Sequence, residues 1–72
     1  MNTDRITIND LDFLAGANPD NEVISEAAYA AHRAQEDGEY PDHVQERIAS
    51  IVMAAAMGDL DYIASETETL YL

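Results

Sequence analysis

Glycine and proline cut this chain into short pieces, and the positions of the cuts decide what it can fold into. Gly16, the pair Asn18-Pro19, Gly38, the pair Tyr40-Pro41 and Gly58 divide the chain into segments too short for anything but a small bundle or a small sheet. Proline is tolerated at the first helical position, where its missing N–H has no partner to lose, and glycine takes the left-handed conformation that stops a helix. Asn18 is therefore expected to cap a second helix, with Pro19 in its first position, running to about Asp37 and stopped by Gly38. Tyr40-Pro41 opens a third by the same logic, with Asp42 in its first turn and Gly58 closing it after Met57. A fourth, shorter helix is predicted from Asp59.

The apolar pattern agrees with helices. Val44, Ile48, Ile51, Val52 and Ala55 recur at helical spacing and mark the best core face, while Met53, Ala54, Ala56 and Met57 make the end of that helix apolar nearly all round. The second helix carries Ala27, Ala28, Ala30, Ala31 and Ala34 around Ile24 and Tyr29. Alanine there either permits close approach of a neighbouring helix or simply serves as the best helix former. Leu60, Ile63 and Ala64 are the expected buried residues of the fourth helix.

The two ends are harder to assign. Arg5-Ile6-Thr7-Ile8 alternates and is β-branched, yet Asn9 is a good cap for a helix through Leu14 and Ala15, closed by Gly16. Residues 67–72 are strand-like, which allows them to pair with residues 6–8 or to pack down. The expected fold is mainly α: one acidic domain over residues 1–72, a compact bundle of three to four short helices with a small strand pairing of the terminal segments as an option.

Charge is the outlier. Asp and Glu number 15 against 3 arginines and no lysine, a formal net charge of −12 on a chain that is 47% hydrophobic. The apolar content is ordinary for a globular domain, so folding is expected, although self-repulsion opposes the compact state at low salt. Direct binding to nucleic acid or to anionic lipid is disfavoured. The absence of cysteine removes disulfides and thiolate metal sites. With no basic, apolar leader at the N-terminus and no long apolar run, the chain reads as cytoplasmic, in a host cell if it is phage-encoded.

Motifs for chemistry are missing. Ser25, Ser50 and Ser65 sit in no nucleophile elbow, and His32 and His43 read as surface residues. His43 with Glu46, Glu39 and Asp42 falls short of a metal site, because two histidines ten residues apart match no standard ligand spacing. Asp10 with Asp12, and Asp59 with Asp61, stand two apart and do not face each other on a helix. No enzyme activity, cofactor or metal is expected; an enzyme would show a deep pocket lined by His32 or His43 with a carboxylate partner.

The distribution of the acid is more informative than its total. Glu36, Asp37, Glu39, Asp42 and Glu46 cluster around one helix junction, and Asp59, Asp61, Glu66 and Glu68 follow the next; beyond Arg47 there is no basic side chain. Carboxylates three or four apart on a helix lie roughly 5–6 Å apart at Cβ, a spacing of the order of phosphates along a strand. In size, acidity and helical content over its whole length, the chain resembles the small acidic phage proteins that block nucleic-acid enzymes: DNA mimics, anti-restriction proteins and some anti-CRISPR proteins. That resemblance implies an inhibitor or regulator whose partner is a basic protein surface, with those carboxylates as contacts and Tyr29, Tyr40, Tyr62 or Tyr71 as aromatic anchors. Reversing the charges of Asp37, Glu39 and Asp42 is then expected to weaken binding without unfolding the domain. Two other accounts compete. The charge is a solvated face of a halophile or GC-rich source, or the chain is a homo-oligomeric assembly protein, such as a homodimer, joined at Met53 and Met57.

Overall fold

The computed structural model describes residues 6–71, which form four helices: α1 (Ile8–Ala17), α2 (Glu22–Arg33), α3 (Asp42–Met57) and α4 (Leu60–Tyr71). Local side-chain chemistry sets each boundary. Thr7, not Asn9, caps α1: its hydroxyl accepts the Asn9 N–H at 3.3 Å and its own N–H donates to Asp10 at 2.8 Å, a reciprocal capping box. Thr7 is extended but Ile8 is already helical, so no strand forms over residues 6–8; Arg5 lies outside the described residues. The helix passes through Gly16 and stops at Asn18, whose backbone N–H and side-chain amide both donate to the Leu14 carbonyl, at 3.0 and 2.9 Å.

Asn18-Pro19 consequently opens a turn, not a helix. The Asn21 N–H closes it on the Asn18 carbonyl at 3.0 Å, with proline in the second position that its fixed φ favours. Asn21 is the cap of α2, its side-chain oxygen accepting from the N–H groups of Val23 and Ile24. At its other end α2 stops a full turn before Asp37. Glu36 and Glu39 exchange both backbone hydrogen bonds, at 2.7 and 2.9 Å, across Asp37 and Gly38, whose φ values are 54° and 82°. Asp-Gly is the preferred dipeptide for a two-residue hairpin with both central φ values positive, and this local turn outcompetes another turn of helix.

α3 keeps its expected end but starts one residue late: Pro41, at ψ 156°, is the cap residue and not the first helical one, and Asp42 begins the helix. Gly58 ends it at φ 76°, and the Asp59 N–H reaches back to the Ala54 carbonyl at 3.0 Å, satisfying an otherwise orphaned acceptor. Asp59 then caps α4 by accepting the Tyr62 N–H at 3.2 Å. Residues 67–71 are helical, which overturns their reading as a strand. Thr67 and Thr69 donate their hydroxyls to the carbonyls of Ile63 and Ser65, so the β-branched residues are satisfied within the helix. Ile63, Thr67 and Leu70 form the face turned to the core. Leu60 and Ala64, by contrast, are exposed.

Leu11, Ile48, Ile51 and Ile63 are the largest fully buried side chains, and they come from α1, α3 and α4. α2 adds Ile24 and the buried Ala27, Ala28, Ala30 and Ala31. It packs against both α4 and α1, and α3 completes the bundle against α4 and α1. The alanines therefore serve close approach: a larger residue on that face would separate two neighbours at once. Tyr29 points outward, where the Arg33 guanidinium lies 5.8 Å from its ring centre. Among the described residues, no helix is long and apolar enough to cross a membrane.

Candidate protein-binding surface

The hairpin holds Glu36, Asp37 and Glu39 out into solvent, and α3 continues with Asp42 in its first turn and Glu46 one turn on; all five are exposed. In the second group Asp59, Asp61 and Glu68 are exposed, but Glu66 is not free. Its carboxylate accepts from Arg47 at 2.7 Å and is only 17% exposed, tying α4 to α3. Glu66 thus holds the scaffold together, and the second patch narrows to Asp59, Asp61 and Glu68. Asp61 and Glu68, two helical turns apart, share a face of α4.

Arg33, His43 and Arg47 all line one open groove with Glu36 and Tyr71, where the ends of α2 and α4 meet the start of α3. Among the described residues Arg47–Glu66 is an ion pair, and Asp12 is held by a hydrogen bond from His32. The remaining described carboxylates have no cationic partner among the described residues.

Beside the acid lies an apolar strip. Met53 is 48% and Met57 81% exposed, and with Ser50, Ala54, Asp59 and Tyr62 they line a shallow groove of about 290 Å³ between α3 and the start of α4. The apolar excess of α3 therefore faces solvent. Phe13, 74% exposed on α1, is a further outward aromatic that apolar periodicity does not single out.

A side-chain cluster escaped sequence reasoning altogether. His32 Nε2 lies 2.8 Å from Asp12 Oδ1, its Nδ1 lies 3.0 Å from the Tyr40 hydroxyl, and that hydroxyl accepts from the Gln35 amide at 2.8 Å. One tautomer satisfies every bond: Nε2–H donates to the carboxylate and Nδ1 accepts the phenol proton. Asp12 and His32 are twenty residues apart with no motif between them, so only the packing of α1 on α2 reveals the pair. The order carboxylate, imidazole, hydroxyl also occurs in acyl-transfer triads, but here it ends in a phenol with an oxygen engaged by Gln35. The arrangement clasps α1, α2 and the segment before α3.

The tyrosines divide accordingly. Tyr40 is held in the cluster and Tyr71 donates its hydroxyl to Glu26 on α2, leaving Tyr29 and Tyr62 as the exposed rings available to a partner. The two marks of an enzyme are split between the histidines: His32 has the carboxylate on an open surface, while His43 lines the Arg33 groove and is in no ion pair among the described residues. Those residues also contain no group of three or more side chains able to hold a metal ion. Comparison with protein-family models, curated proteins and solved structures finds no match.

Proposed function

We propose that this chain acts by binding rather than by turnover, as an inhibitor or regulator that sets exposed carboxylates against the basic, nucleic-acid-binding surface of another protein. The observation that carries the reading is the unopposed acid: among the described residues only Glu66 has an arginine partner, Asp12 is hydrogen-bonded to His32, and Arg33 and Arg47 line one groove. A surface of unopposed carboxylates on a rigid helical frame gives electrostatic steering and salt-dependent association with a Lys/Arg groove. Glu39, Asp42 and Glu46 are the central contacts, with Glu36, Asp37, Asp59, Asp61 and Glu68 around them. The phage-type, cytoplasmic setting belongs to the same proposal.

Capture from the source cell's lysate at low salt tests it. Basic nucleic-acid-binding proteins are expected to be retained, released by a salt gradient, and displaced by duplex DNA. The double variant Glu39→Lys, Glu46→Lys is expected to lose the capture while keeping its helical circular dichroism; retention indifferent to salt, DNA and this variant would overturn the proposal. Asp37 is left out because its positive φ makes lysine there a backbone perturbation as well as a charge reversal. The exposure of Met53 and Met57 favours a second reading, an assembly protein joined through that strip. Sedimentation as a strict monomer at all concentrations excludes it.

A further inference from the structure

Asp42 and Glu46 from the first acidic group, Asp59 from the second, and the methionine strip lie along one side of α3 and its junction with α4. Asp42, Glu46, Met53 and Met57 recur at helical spacing on the side of α3 opposite its buried Val44, Ile48 and Ile51, with half-buried Ser50 and the small, buried Ala49 between the acid and the methionines. That stripe is about 22 Å long at 1.5 Å per residue. It runs from acid to apolar side chains and ends in acid again, because Asp59 lines the Met53/Met57 groove from the α3–α4 junction.

We infer that this stripe is the seat of a basic amphipathic helix supplied by a partner protein. The helix places its apolar side between Met53, Met57 and Tyr62, and its Lys/Arg side chains on Asp42 and Glu46 at one end and Asp59 at the other. The inference rests on the basic-partner reading above and gives that partner a segment and a place to bind.

Charge complementarity selects this occupant over the others. A second copy carries the same formal charge of −12, and an isologous contact through the stripe would bring its acidic rim against an identical one. Anionic lipid is repelled by the same carboxylates. A basic amphipathic helix buries the methionines and neutralises the rim together, the pattern of helix-in-groove recognition with anchors at i, i+4 and i+7. Methionine suits such a seat because its unbranched, polarisable chain adapts to the side chains presented to it.

Three synthetic peptides test this on the whole chain with methyl-labelled methionine. One is a basic amphipathic helix with leucine at helical spacing, one has its composition in scrambled order, and one has its Lys/Arg replaced by glutamine. The basic amphipathic peptide is expected to shift the Met53 and Met57 methyl resonances and to bind about tenfold tighter than either control. Met53→Gln with Met57→Gln should remove about tenfold in affinity, and Glu46→Gln with Asp59→Asn should flatten the salt dependence. These changes spare the fold, since Met53 and Met57 are both exposed outside the core, glutamine is a good helix former and asparagine also caps a helix.

Equal binding of the scrambled peptide with unmoved methyl resonances overturns the groove while leaving the basic-partner reading intact. Equal binding of the glutamine peptide overturns the carboxylate rim as the selecting feature. Binding of no peptide overturns the groove, and the lysate capture then judges the broader reading separately. Self-association abolished by Met57→Gln would assign the groove to a second copy and likewise overturn the inference.

Discussion

Asn18 and Asn21 differ in what their side chains satisfy, and the difference is measurable. Asn21 accepts two N–H groups at the start of α2, so Asn21→Ala is expected to cost about 1 kcal/mol. Asn18→Ala loses only an exposed side-chain bond to a carbonyl that its own backbone N–H also serves, and should cost about 0.5 kcal/mol or less. Urea unfolding of the two variants checks the ranking, which reverses if Asn18 is the true cap. Gly58→Ala is the cleanest backbone test. A Cβ there meets nothing within 4 Å, so the loss, about 1 kcal/mol, comes from the positive φ alone. Capping residues are where the sequence was read two or three positions off. Thr7, Asn9, Asn18 and Asn21 are all competent caps, and only the geometry of the groups they reach separates them.

At the scale of elements, α3 and its glycine stop were legible because apolar period and helix punctuation agree there. The end of α4 was not: Thr67, Thr69 and Tyr71 alternate as a strand would, and their helical state depends on Thr67 and Leu70 finding a core that sequence does not display. Tyr71 supplies a test. Its hydroxyl donates to Glu26, and the bond together with the carboxylate's charge raises its pKa above the ordinary tyrosine value. The protonated phenol is thus the form the fold favours. Its contribution is complete below the unfolded value of about 10 and is lost as pH rises through the higher folded value. Amide exchange and far-ultraviolet circular dichroism should show the last turn of α4 loosening in that alkaline range, whereas Tyr71→Phe should be loosened already at neutral pH and lack the alkaline step. In the core, Ile51→Ala should cost about 2–5 kcal/mol, enough to leave so small a domain largely unfolded in a thermal melt.

For the whole molecule, the decisive length is the reach of charge. The radius of gyration is 10.9 Å, and the Debye length falls to about 10 Å at 0.1 M salt. Repulsion across the bundle is therefore felt at low salt and screened above that concentration. The melting temperature should rise as sodium chloride goes from low concentration to about 0.5 M, by about 4–8 °C for each kcal/mol relieved; a flat response would mean that the carboxylates are too dispersed to repel. The acidic surplus was plain in the sequence, but its arrangement was not. The loss of Glu66 to Arg47 and the grouping of Arg33 with Arg47 depend on contacts between residues far apart in the chain, whereas the union of α3's acid with its methionines follows from helical spacing once both are known to face solvent.

The outward setting of Met57 also gives the surface a chemical vulnerability. A thioether this open meets peroxide before the less exposed Met53, and oxidation turns a flexible apolar side chain into a polar sulfoxide. Mild peroxide treatment followed by peptide mass spectrometry should find Met57 modified before Met53, with the thermal melt nearly unchanged. Reductase treatment should restore the thioether, so the apolar strip of α3 can be erased and rewritten without unfolding the protein that carries it.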